Sequence, residues 1–156
     1  MRGWKITILL LSGLFLFSVM AAKSAQPTYV GAQKCKICHQ DEYKVWSNEK
    51  HSKAWDALKP EEQKKAECVK CHTTGGAANP NVQCEACHGP GSEYSKPIIM
   101  NKAKWQADPA GQLKLAMQAG LIKPDEKVCT SCHNKQSPNF KPFNFEEYKA
   151  KIKHWK

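Results

Sequence analysis

Apolar positions along this chain come in short bursts, separated by Gly, Pro and Asn, rather than in long periodic runs. The first burst, Ile6 through Met20, follows Arg2 and Lys5 and ends in small residues. It is too short to favour a membrane span, so residues 1–25 read as a signal peptide, cleaved between Ala21 and Ala25. An uncleaved anchor helix is the alternative; the segment has no cysteine, which argues against a lipoprotein anchor. From Gln40 to Leu58, residues Tyr43, Trp46, Ala54, Trp55 and Leu58 recur at roughly helical spacings, predicting the longest helix, with His51 on the face of Trp55 and Leu58. Pro60 to Gln63 predicts a short second helix. Asp108 to Ile122 reads as an amphipathic helix carrying Leu113, Leu115, Ala116, Met117 and Ala119, and Phe145 to Trp155 as a final helix with His154 in its last turn. Gln26 to Lys34 reads as a non-helical lead-in, Thr73 to Val82 as a loop, Gly89 to Ser92 as a turn, Tyr94 to Met100 as irregular and Asn134 to Asn144 as a reversing loop. The expected fold is mainly α with extensive irregular structure.

Onto this sparse pattern falls a repeat of chemistry. Cys35-Lys36-Ile37-Cys38-His39 recurs as Cys68 to His72, Cys84 to His88 and Cys129 to His133, and these motifs use every cysteine in the chain. Two cysteines followed at once by histidine form the attachment signature of a c-type haem: the thiols add to the porphyrin vinyl groups and the imidazole coordinates the iron. Structural zinc sites and disulfide frameworks also use paired cysteines. Neither accounts for a histidine after all four pairs. A thioredoxin-like site needs one such pair in a βαβ setting, which is missing.

Four haem c groups in residues 26–156 change the picture of the core. Each porphyrin can bury about 400 Å² of apolar surface, at most about 10 kcal/mol. A compact domain whose core is largely the four haems is expected, which reconciles folding with a mean hydropathy of −0.61. Charge changes the picture less. The formal +10 includes Arg2, Lys5 and Lys23 of the signal, and the two propionates on each haem would contribute about −8, leaving the loaded protein near neutral. Nothing resembling a nucleic-acid-binding motif accompanies the basic residues.

After His39, His72, His88 and His133, only His51 and His154 remain to serve as sixth ligands. His51 lies twelve residues after His39, about 18 Å along a helix, whereas the two axial nitrogens of one iron lie about 4 Å apart. His51 should therefore cap a haem other than its own. His154, beyond a reversing loop, could reach the haem of His133. Met100 is a candidate thioether ligand in an irregular segment, with a packed core methionine as the alternative; Met117 reads as packing.

The four motifs, the segment Trp46-Ser47-Asn48-Glu49-Lys50-His51, the run Cys84-Glu85-Ala86-Cys87-His88-Gly89-Pro90-Gly91-Ser92 and the Phe-rich tail resemble the cytochrome c-554 family of tetrahaem electron carriers. That resemblance implies that His51 caps haem three and His154 caps haem four. It also implies a histidine after the third motif on haem one, and haem two, held by His72, without a strong sixth ligand. No histidine lies between His88 and His133, so Met100 becomes the candidate on haem one, with Tyr94 as the weaker alternative.

The expected function is electron transfer between redox proteins, in a periplasmic or otherwise extracytoplasmic bacterial setting, with no nucleic-acid partner and no stable membrane insertion after cleavage. No nucleophile–base constellation marks an enzyme. Two alternatives remain: reduction or binding of nitric oxide or a nitrogen oxyanion at an open haem two, and polymerisation into a haem filament.

Overall fold

The computed structural model describes residues 26–154; the expected signal peptide and Trp155 lie outside them. Eight short α-helices and one 3-10 helix are separated by turns, and among the described residues the only β pairing is an isolated bridge between Thr73 and Pro80. No helix among these residues is long and apolar enough to cross a membrane.

Each motif is itself a helical turn. Helices α1 (Ala32–Lys36), α3 (Ala66–His72), α4 (Cys84–His88) and α7 (Glu126–Thr130) each carry a first motif cysteine. In motifs one and four, where the helix stops early, the histidine N–H still donates to the first cysteine carbonyl, at 2.9 Å in both. Residues i, i+3 and i+4 share a helix face, so the turn places two sulfurs and an imidazole on one side.

The long helix expected over Gln40 to Leu58 is instead α2 (Gln40–Ser47), followed by the 3-10 helix Lys50–Lys53. Side-chain competition for the backbone ends it: Asn48 Nδ2 donates to Lys44 O at 2.9 Å, and Ser52 Oγ to Glu49 O at 2.8 Å. Long-range bonds then hold the break. Trp46 Nε1 donates to Val82 O, Val82 N–H to His51 O and Trp55 N–H to Asn81 Oδ1. The helix expected at Pro60 to Gln63 is only a turn, closed by Lys59 O. The lead-in becomes helical from Ala32, because Gly31 takes a positive φ of 82° and Gln83 Oε1 accepts the Ala32 N–H.

Further on, α5 (Lys102–Ala107) precedes α6 (Pro109–Gln118), which begins one residue inside the expected amphipathic helix and ends four residues short of it. Asn101 and Asp108 cap their first turns. At the end of α6 the Leu121 N–H returns to Ala116 O and the Gly120 N–H to Met117 O, a Schellman closure that uses the left-handed Gly120. Helix α8 (Phe145–Lys151) is capped by Asn144 and stops before His154, which follows the helix rather than occupying its last turn. The buried apolar residues are few, namely Ala32, Tyr94 and Ala116, while Ile37 and Leu115 stand 66% and 50% exposed.

Candidate haem sites

The histidines converge in pairs. His51 and His133 have ring centroids 6.2 Å apart, and so do His88 and His154. Two metal–nitrogen bonds of about 2 Å each, plus half of each ring, place the centroids of axial imidazoles on one iron about 6 Å apart. Both pairs have that spacing, and ring tilts of 57° and 81° are compatible with it because each ring can turn about its own metal–nitrogen axis.

The pairing differs from what the family resemblance implies. His51 lies beside the fourth motif histidine rather than the third, and His154 beside the third rather than the fourth. The place of His51 is set by the 3-10 helix and by the Val82 bond to the His51 carbonyl.

The protons on these rings are placed by their surroundings. A carbonyl oxygen can only accept, so the ring nitrogen it faces carries hydrogen. His72 Nδ1 donates to Ala54 O at 2.5 Å, His88 Nδ1 to Ile122 O at 3.3 Å and His154 Nδ1 to Ile152 O at 2.9 Å. In each neutral ring the hydrogen then sits on Nδ1 rather than Nε2, the tautomer that a second hydrogen bond fixes in metal-bound histidines. His39 differs, with its Nδ1 3.9 Å from the Glu42 carboxylate. His133 stacks on Phe143, centroids 4.9 Å apart, and both rings touch Tyr148. Burial, then the neighbouring His133, holds His51 below the usual imidazole range; burial does the same to His88 and His133. Neutral imidazole is the ligating form.

The sulfurs also come together across motifs. The Cys35 thiol is raised chiefly by its pairing with Cys84, then by burial, while the same pairing lowers Cys84. Cys87 is pushed up to about 11, first by burial and then by Cys129. Cys71 and Cys132 are joined in a disulfide, Cα atoms 5.5 Å apart. Thioether attachment at both positions would require these two sulfurs as free thiols, so the bond and the attachment are alternatives. The remaining Cys38 and Cys68 are free.

One cleft is lined by His39, His51, His88 and His154 together with Cys35, Cys84 and Cys87. Met100 is not among its lining residues; it sits half-buried where its N–H closes a turn onto Lys96 O, just before α5. Tyr94 is 7% exposed and its hydroxyl donates to Gly89 O at 2.8 Å. That bond occupies the group expected as the weaker ligand for haem one.

One residue escaped the sequence reading. Glu85 is buried beneath the first and third motifs, and its only signal in the sequence is that it is the one acidic residue inside a Cys-x-x-Cys pair.

Comparison with known proteins bears on the fold and on the first three motifs. The family described as Cytochrome c554 and c-prime matches residues 34–89, which span the first three motifs. No curated protein sequence matches. Among solved structures, the reduced state of cytochrome c554 from Nitrosomonas europaea is similar at a TM-score of 0.57 and 24% identity, over 83% of this chain and 79% of that one. The chain thus has the helical fold of cytochrome c554 and, across residues 34–89, the sequence pattern of the cytochrome c554 and c-prime family.

Proposed function

We propose that this protein is an exported electron carrier holding four covalently attached haem c groups, through Cys35/Cys38, Cys68/Cys71, Cys84/Cys87 and Cys129/Cys132, with His39, His72, His88 and His133 as proximal ligands. The observation that carries the reading is the pair of 6.2 Å imidazole spacings, which accommodate one iron each. His51 is then the distal ligand of haem four and His154 of haem three. Each haem supplies an iron that accepts and releases one electron.

The chain's own part is to set spacing, ligands and surroundings. Neighbouring sulfurs link motif one to three, three to four and four to two, so groups attached there lie in the order one, three, four, two. That order supports a continuous route for electrons between donor and acceptor proteins. With all six histidines placed, none remains opposite His39 or His72. The irons of haems one and two therefore have no imidazole on their distal side. The small buried core and the half-exposed apolar side chains support a core completed by porphyrin. Residues 1–25 fit export to the compartment where such haems are attached.

Spectroelectrochemical titration of the purified full chain, with its intact mass, tests the reading. Four attached haems and four reversible one-electron steps are expected; fewer haems, or none reversibly reduced, overturn it.

A further inference from the structure

Glu85 lies in α4 between Cys84 and Ala86 and is 2% exposed. Its Oε1 accepts the Val30 N–H at 2.8 Å and the Gly91 N–H at 2.7 Å; its Oε2 accepts the Gly31 N–H at 2.7 Å and the Val30 N–H at 3.1 Å. Every one of these bonds is donated by backbone, and among the described residues no Lys, Arg or His pairs with the carboxylate. Amide donors solvate a charge without cancelling it, so a net negative charge is enclosed in protein, where its field is weakly screened. Attachment sites one and three lie against it: Cys84 precedes it in α4, and Gly31, whose N–H donates to Oε2, accepts the Cys35 thiol at its carbonyl, at 3.8 Å. A β-carbon at Gly91 would come within 2.9 Å of Oε1, so the loop after motif three is shaped around the carboxylate.

We propose that Glu85 is a fixed buried charge that lowers the reduction potentials of the haems attached at Cys35 and Cys84 relative to the two attached at motifs two and four. Ferric haem carries one more positive charge than ferrous haem, and a nearby anion stabilises the ferric form. Electrons in the row one, three, four, two would then be favoured on the four–two side. The proposal rests on the tetrahaem carrier reading.

The same carboxylate also pins Val30 and Gly31 onto α4, so the test separates charge from clamp. Glu85→Gln keeps the size and removes the charge; Glu85→Asp keeps the charge on a shorter arm. The expected result for E85Q is four haems by mass, with two of the four potentials shifted upward and two unmoved. E85D is expected to leave all four near wild-type values while lowering the melting temperature. Equal shifts in both variants, a uniform shift of all four potentials, or no shift in E85Q would overturn the role. If E85Q does not accumulate with four haems, the wild-type protein decides by titration from low to high salt. The separation between the two pairs is expected to persist, because a buried charge is not screened, and its collapse overturns the proposal. A wild-type protein without four reversible steps overturns the carrier reading and this role together.

Discussion

Motifs one and three are joined by backbone and a buried carboxylate; motifs two and four meet at sulfur, with aromatic rings packed on motif four. In the first region Glu85 gathers the amides of Val30, Gly31 and Gly91 beneath Cys35 and Cys84. In the second, Cys71 meets Cys132, while His133 lies against Phe143 and Tyr148. Four motifs alike in sequence thus sit in two electrostatically unlike halves. The surroundings of an attachment turn, more than the turn itself, decide what an iron held there does.

The comparison breaks most sharply at the distal histidines. His154→Ala is expected to turn one low-spin iron high-spin, and paramagnetic spectra should assign the loss to the haem of His88, leaving that of His133 unchanged. His51→Ala should do the reverse. If the two variants exchange these effects, the pairing described here is wrong.

A smaller effect is expected from ligand counting. The reduced protein should bind two carbon monoxide molecules per four haems, at the irons of His39 and His72, read from the optical difference spectrum. Met100→Ala should leave that count unchanged. A count of one that rises to two in the variant would return Met100 to haem one.

Smaller again, Phe143→Ala removes the ring stacked on His133, a contact of about 1 kcal/mol. It should lower thermal stability and alter the spectrum of haem four only. The mildest change is Asn144→Ala, which deletes the cap accepting the Glu147 N–H at 3.1 Å. Loss of a cap costs about 1 kcal/mol, seen as a lower melting temperature, and because α8 leads to His154 it should weaken low-spin character at haem three before haem four.

These halves were unequally legible in the sequence. The attachment turns follow from four identical patterns, and Gly, Pro and Asn marked most of the breaks between them. Helix rise sent His51 away from its own motif only on the assumption of a straight helix, and α2 ends at Ser47. Where His51 goes was not legible, because bonds from Val82 and Asn81, about thirty residues away, steer the chain after α2. The periodicity of Gln40 to Leu58 overstated its helix for a related reason: Asn48 and Ser52 offered the backbone local alternatives. Glu85 was hidden because a carboxylate inside a Cys-x-x-Cys pair looks like surface until the lead-in folds over it.

The two histidine pairs have a consequence for how the chain is completed. They interleave: 51 joins 133 and 88 joins 154, so each pairing opens before the other closes. An N-terminal fragment ending after the third motif holds neither pair, and a chain lacking only its last few residues holds one. Closing such crossed, distant contacts is slow compared with local ones. In the carrier proposed above, completion of both pairs therefore waits on the segment around His154, however early the first motif acquires its haem.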